Sequence, residues 1–247
     1  MHFEFDSFSI PVELMKKTGC TQGNFGLGRT AVQRLQAIGL QPHHAVLEIG
    51  SGIGRCAMAL AHVLATGSYV GIDLVHPAVT WCQTNITTRY PNFSFIHYDV
   101  LDALHNPNGK LSAPEVHIEF PSNSVDRVLI WATLTHMLPQ TVEHYFREVR
   151  RVLKSDGLAL VSCHLLTKEI QQELKDYGAP NGFDYEYELG CYVRTLDCPT
   201  LEVAYLDERM NELLDAAGLA AQEVEYGRMR HNNRFAPFQD IMTLRSK

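Results

Sequence analysis

With 247 residues, 45% of them hydrophobic, the chain can bury a full core, and its length fits one α/β domain with a small appendage. A formal net charge of −7 argues against general affinity for nucleic acid or an anionic membrane, because phosphate binding draws on clustered Lys and Arg. No apolar run approaches the roughly 18 residues that span a bilayer, and the opening MHFEFDSFSIP lacks a basic stretch followed by an apolar one. The chain therefore reads as soluble, unexported and cytoplasmic. The six cysteines are scattered without a C-x-x-C pair and read as reduced, buried thiols. The twelve histidines show no H-E-x-x-H or His-x-His pattern, so no metal site is expected.

In chain order, residues 1–44 read as a helical lead-in. A helix around Pro11 to Lys17 gives way to Gly19, Gly23, Gly26 and Gly28, and a second follows from Arg29 to Ile38, with Val32, Leu35 and Ile38 on one face. The glycine-rich stretch is either a segment that folds over a ligand or an ordinary linker. Next, the apolar run Val46-Leu47 ends in Glu48 and Ile49, then breaks into Gly50, Gly52 and Gly54. The breaker-free run Cys56 to Ala61 follows, giving a strand, a glycine turn and a helix N-terminus where backbone can approach a ligand. Strands over Ser68–Ile72, Phe93–Tyr98, Val125–Ile130 and Leu158–Ser162 alternate with helices over Pro77–Thr88 and Val142–Leu153. That alternation predicts a doubly wound, mostly parallel sheet with helices on both faces.

Two segments depart from the alternation. Asp102 to Ser124 carries Asn106-Pro107-Asn108-Gly109, Pro114 and Pro121, too many breakers for a helix, and reads as a functional loop. The insertion over 165–204 begins helically at Lys168 to Tyr177 and continues through Phe183–Glu188 and Tyr192–Leu196, which alternate like strands. It is a candidate cap or lid, with a homodimer contact as the competing reading. After a helix at Leu206 to Ala217, Gln222–Tyr226 and Gln239–Leu244 read as a closing antiparallel hairpin. Its loop holds Arg228, Arg230, His231 and Arg234, and is either a solvated loop or an anion-recognising one.

The glycine loop distinguishes two kinds of ligand. A dinucleotide fingerprint needs G-x-G-x-x-G, and Arg55 stands where its third glycine would fall. With Glu48 preceding the glycines, Asp73 closing YVGIDL, Asp99-Val100 after the third strand, SVDRVLIW at the fourth and VEHYFREVRRVLKSDG after it, the chain resembles class I S-adenosylmethionine-dependent methyltransferases. The similarity runs over about Ala45 to Leu165 and more loosely to the C-terminus. It implies a single Rossmann-like methyltransferase domain over residues 1–247, with a seven-stranded sheet ending in an antiparallel hairpin.

The resemblance also implies S-adenosylmethionine as cofactor. Gly50, Ser51, Gly52, Gly54 and Glu48 would hold its methionine end, Asp73 its ribose hydroxyls, and Leu74, Asp99 and Val100 its adenine, with Asp102 the alternative acid. Trp131 and Ala132 would lie near the methyl group. Methyl transfer is an in-line displacement in which positioning does most of the work, and a hydroxyl acceptor also needs a base. His136, just beyond the fourth strand, is the first choice; His164 and His231 follow, and these two with Tyr192 are the candidate substrate contacts. The expected reaction is O-methylation of a small molecule, sugar or glycan, with no nucleic-acid partner. N-methylation of a small metabolite or protein is the alternative, and an NAD(P)-dependent reductase or a non-catalytic cofactor-binding module are rivals of another class.

Overall fold

The computed structural model describes residues 1–170, 172, 182–227 and 238–247. Arg228, Arg230, His231 and Arg234, and the end of the helix expected over Lys168 to Tyr177, lie outside the described residues. The chain gathers into two compact units, Met1–Ser112 with Ser124–Leu129, and Ala113–Asn123 with Ile130–Lys247.

The first unit opens with a hairpin where the sequence predicted helix alone. Strands β1 (His2–Phe5) and β2 (Phe8–Pro11) pair antiparallel through Asp6 and Ser7, both at positive φ. Phe3 and Phe5 stand edge-on to Phe25 at 5.4 and 4.7 Å, which anchors the hairpin by aromatic contact. Helix α1 (Val12–Lys17) and helix α2 (Leu27–Ala37) follow, the latter burying Gly28, Ala31, Val32 and Leu35. Strand β3 (Ala45–Ile49) then enters the glycine turn and helix α3 (Arg55–Leu60), whose residues after Arg55 are all buried. A Cβ on Gly28 would meet the Arg55 carbonyl oxygen at 2.4 Å, so the absent side chain lets α2 close on the start of α3.

Strand β4 (Ser68–Asp73), helix α4 (His76–Cys82) and strand β5 (Phe93–His97) continue the alternation, α4 widening into a π-helical turn at Gln83–Thr87. Strand β6 (Val125–Ile130) pairs parallel with β3, β3 with β4, and β4 with β5. The segment from Asp102 to Ser124 holds no regular helix beyond a short turn at Ala113–Glu115, as its prolines require.

In the second unit, helix α5 (Pro139–Val152) starts a turn earlier than expected, with Pro139 at its first position where proline is pre-organised. Strand β7 (Leu153–Cys163) begins directly at the helix end rather than at Leu158. The insertion forms a small sheet of its own, in the order β8 (Leu165–Leu166), β11 (Val203–Leu206), β10 (Cys191–Val193), β9 (Tyr185–Glu188). Its apolar face gathers Leu166, Phe183, Tyr192, Ala204 and Leu206. The sequence reading missed β11, because its continuously buried run Val203-Ala204-Tyr205-Leu206 has no alternation to reveal a strand.

Helix α6 (Asp207–Ala217) ends at Gly218 in the left-handed conformation. Strands β12 (Leu219–Glu225) and β13 (Asp240–Ser246) then pair antiparallel, and β13 also runs antiparallel to β7. The large sheet has seven strands in the order β12-β13-β7-β6-β3-β4-β5, a mostly parallel Rossmann-like arrangement closed by the expected C-terminal hairpin. No helix among the described residues is long and apolar enough to cross a membrane.

Within the second unit, the proline-rich segment is clamped to α5 by charge. The Arg151 guanidinium donates to the carbonyls of Ile118 and Phe120 and to the Glu148 carboxylate, which in turn accepts from the Ile118 N–H. Removing the guanidinium leaves Glu148, 8% exposed, without its strongest partner. The Arg151→Ala variant is therefore expected to lose about 2–3 kcal/mol, the range of hydrogen bonds to charged groups. Urea unfolding at neutral pH checks it, and a loss under about 0.5 kcal/mol would show that the clamp contributes nothing beyond an ordinary surface contact.

Candidate active site

The first unit builds its site from two turns at the carboxyl ends of β3 and β4. Ile49 and Ile72 are register partners, so both strands end at the same height. The Gly50 and Ser51 N–H groups both donate to the Ile72 carbonyl, folding the glycine turn across the end of β4. Gly50, Gly52 and Gly54 all have positive φ. A side chain at Gly54 would also collide with Ile86 Cδ1 at 2.6 Å, which explains why glycine stands there.

Asp73 is the joint between the two turns. Its Oδ2 accepts the Gly52 N–H at 2.6 Å and its Oδ1 the Val75 N–H at 2.8 Å. Burial raises its pKa against those hydrogen bonds. Each carboxylate oxygen has a further lone pair, so two more donors can be accepted. Ser51 Oγ is buried and has no hydrogen-bond partner among the described residues. An orphaned hydroxyl beside a bare-backbone loop and a two-oxygen acceptor suits a ligand that carries both hydroxyls and polar substituents.

Glu48, 1% exposed, lies beneath this turn and accepts from the Tyr69 hydroxyl at 2.5 Å. Burial pushes its pKa up to about 7, opposed by hydrogen bonds from Tyr69 and Cys56 and by the charge of Arg55. The glycine-rich lead-in reaches the same place: Thr18 Cβ would touch a Cβ on Gly52 at 3.3 Å.

Beside these turns lies a cavity of about 330 Å³, lined by Lys17, Leu74, Pro77, Leu104 and Asn106 among others. Asn106, which the sequence reading assigned only to a loop, donates from Nδ2 to Asp99 Oδ1 at 3.1 Å and to the Val100 carbonyl at 2.9 Å. The Val100 N–H is engaged by the Tyr98 carbonyl at 2.8 Å. Asp102 is spent on its own turn, accepting from the Leu104 and His105 N–H groups and from the His105 ring.

The second unit holds the other candidates. Trp131 is buried, and Ala132 adopts φ +57°, its N–H donated to Ser162 Oγ at 2.7 Å while that hydroxyl donates to Gln239 Oε1 at 2.8 Å. Neither Ser162 nor Gln239 carries a sequence signal, since each pairs across strands distant in the chain. His136 sits on a short turn, Leu134–His136, its Nδ1 2.9 Å from the Thr200 carbonyl. Because a carbonyl only accepts, Nδ1 carries the proton and the basic lone pair is on Nε2. His164 is 1% exposed, its Nε2 3.3 Å from Glu202 Oε1. Tyr192 lies inside the apolar face of the small sheet. His231 falls outside the described residues.

Residues 46–157 match the model of a family described as a methyltransferase domain. Among solved structures, an S-adenosylmethionine-dependent methyltransferase of Methanosarcina mazei superposes with a TM-score of 0.56 at 19% identity, covering 84% of this chain and 94% of that one. One from Aquifex aeolicus gives a TM-score of 0.56 at 16% identity, covering 93% and 95%. The 1,6-didemethyltoxoflavin-N1-methyltransferase of Burkholderia thailandensis, solved with bound 1,6-didemethyltoxoflavin and S-adenosylhomocysteine, gives a TM-score of 0.59 at 18% identity, covering 91% of this chain and 80% of that one. At these identities the likeness is one of fold.

Glu48 sets a pH dependence of stability. Its pKa rises from 4.5 to about 7 on folding, so the folded chain binds the extra proton between those values. This contribution is full below about 4.5 and is lost as pH rises through about 7, by on the order of 3 kcal/mol. The isosteric Glu48→Gln variant is expected to lose that slope. Urea unfolding of both proteins at about pH 5 and about pH 8 compares them, and an identical slope in the two would remove Glu48 as its source.

Proposed function

As a class I S-adenosylmethionine-dependent methyltransferase, the chain, we propose, methylates a hydroxyl group on a small-molecule, sugar or glycan acceptor. The cofactor reading rests chiefly on the coupling of the glycine turn to Asp73 through the Gly52 N–H, with acceptor capacity left on both carboxylate oxygens. In this reading Asp73 accepts from the ribose hydroxyls, Ser51 Oγ and the loop backbone meet the methionine end, and Glu48 acts on the cofactor's amino group directly or through water. Leu74 lines the adenine pocket and the Asp99 carboxylate faces the exocyclic amine, with Asn106 holding it. The Val100 N–H would have to leave the Tyr98 carbonyl to reach a ring nitrogen. When bound, the cofactor supplies an electrophilic methyl group on a sulfonium.

Hydroxyl rather than amine chemistry is supported by the acceptor-side residues. A neutral amine needs no base before attack, whereas a hydroxyl must lose a proton. Histidines follow both β6 and β7, where open α/β sheets bind their ligands, and His136 is a tautomer with its lone pair on Nε2. Trp131 and Ala132 complete the reacting end in this assignment. Residues 165–204 serve as the cap, within one functional domain over 1–247. No nucleic-acid partner is proposed.

Calorimetry with S-adenosylmethionine and with NADH separates this reading from a reductase. Saturable heat is expected with the first alone, and the reverse pattern would sink the assignment. The Asp73→Asn variant should bind S-adenosylmethionine about 10–150-fold more weakly, the range of losing hydrogen bonds to a charged acceptor. A screen of hydroxylated acceptors for S-adenosylhomocysteine production identifies the substrate. With that acceptor, His136→Ala tests a basic role: turnover should fall about 100-fold or more at unchanged cofactor affinity, and full turnover would take His136 out of the chemistry.

A further inference from the structure

Glu48 is a buried carboxyl whose hydrogen-bond partners are neutral. The Tyr69 hydroxyl donates to its Oε2 at 2.5 Å, the Cys56 thiol is its other partner, and no ion pair reaches it among the described residues. A carboxylate taken out of water without a cation beside it is costly, and keeping its proton removes that cost. The titratable and charged groups around it are Arg55 and Cys56 from α3, Tyr69 and Asp73 from β4 and Cys82 from α4, with Cys20 of the lead-in near Cys56. Of these, Arg55 alone is cationic, and its charge acts on Glu48 against that of Asp73.

Tyr69 is firmly placed to hold this carboxyl. It is fully buried, its ring stacked on Phe93 at 5.1 Å and tilted against Phe95 at 5.6 Å. Burial and the neighbouring Glu48 push its hydroxyl well above the ordinary phenol value, so it stays a donor. Gly71 brings the pair up to the glycine turn. A Cβ there would lie 2.7 Å from the Tyr69 hydroxyl oxygen and 2.8 Å from Ser51 Oγ, so both hydroxyls stand over one bare Cα. Ser51 Oγ is the buried hydroxyl without a partner. Carboxyl, phenol and serine therefore form one buried polar seam leading from beneath the turn to the turn itself.

We propose that Tyr69 is a positioning residue for the cofactor, acting through Glu48: its hydroxyl holds the carboxyl under the turn, and the carboxyl gives up its proton when the ammonium group of the methionine end binds. The inference rests on the cofactor reading above. The proton leaves to solvent, the electron pair of its O–H bond stays on the carboxylate, and the new negative charge faces the positive charge of the ligand. Without ligand, burial keeps the proton on up to a pH of about 7. Binding below neutral pH is thus linked to release of one proton, and affinity rises with pH until the carboxyl is already ionised.

Calorimetry of the full chain with S-adenosylhomocysteine, in buffers of different ionisation heat, counts the protons exchanged on binding. Close to one should be released at about pH 6 and close to none at about pH 8, with Kd falling about tenfold per pH unit below about 7. 5′-Methylthioadenosine, which carries the adenosine and no ammonium, should bind with neither the proton nor the slope, and Glu48→Gln should lose both for S-adenosylhomocysteine. Tyr69→Phe keeps the ring on its aromatic neighbours and removes the donor, which leaves the carboxylate less supported. Its affinity should fall roughly tenfold at about pH 6 and by much less at about pH 8, because its profile bends at higher pH. A purely structural role for Tyr69 would weaken binding equally at both. Binding without proton release, an unchanged proton count in Glu48→Gln, which would assign the proton to Asp73, or a Tyr69→Phe profile that bends at the original pH would each overturn the proposal. Absence of S-adenosylhomocysteine binding by the unaltered protein would instead overturn the cofactor reading.

Discussion

The bond from the Gly52 N–H to the Asp73 carboxylate is the constraint on which the first unit's site depends. It exists because β3 and β4 are parallel and in register, so that the turn leaving one strand and the acid ending the other meet. The Ile72 carbonyl, accepting from both Gly50 and Ser51, holds the turn flat enough for that bond to form. Three successive positive-φ glycines are the means, and Gly54 has the added reason that any side chain would enter Ile86. The same closeness removes water from Glu48 and Asp73, and loss of solvation pushes both carboxyls toward their neutral forms. Backbone geometry and electrostatics are therefore one problem here. A ligand that donates hydrogen bonds or brings positive charge relieves what folding imposes.

A different constraint organises the second unit. There the residues after the strand ends are met by a distant part of the chain, the segment from Thr200 to Glu202, which faces His136 through a backbone carbonyl and His164 through a carboxylate. Tyr205, just beyond it, donates its N–H to the His164 carbonyl and its hydroxyl to the Met137 carbonyl. The insertion is thus fastened beside both histidines, which sets a limit on reading it as a freely swinging lid. Its own small sheet carries an apolar face that packs Leu166, Phe183, Tyr192, Ala204 and Leu206, so the fastening is to a formed core rather than to an isolated loop.

How far the sequence announces these features follows from the range of the interactions involved. The glycine turn is legible because positive φ and close approach exclude nearly every other residue, and Asp73 is legible because a strand end must fall there. The closing hairpin is legible from its two strand-like segments and their short connection. The N-terminal hairpin is not, since its turn uses Asp6 and Ser7 at positive φ in place of a glycine signal. The early start of β7 is hidden because Lys154-Ser155-Asp156-Gly157 reads as a turn while the backbone runs through it extended. Glu202, Thr200, Ser162 and Gln239 are silent in the sequence for a common reason. Each acts on a residue brought beside it only by the tertiary fold, and single-chain spacing holds no record of that.

Ala132 shows how such long-range partners can support a local conformation that the residue itself disfavours. A non-glycine side chain at φ +57° carries strain of roughly 1 kcal/mol or more, and it persists only where the surroundings over-determine it. Here the Ala132 N–H is taken by the Ser162 hydroxyl at the end of β7, which donates in turn to Gln239 just before β13. The donation to Gln239 fixes the hydroxyl's proton away from Ala132, so that its lone pair is left for the N–H. Without Gln239 the hydroxyl could rotate, and the strained peptide would lose a dedicated acceptor. The chain of two bonds joins the turn after β6 to the hairpin that closes the sheet, and so the position of Trp131 and Ala132 depends on strands added a hundred residues later.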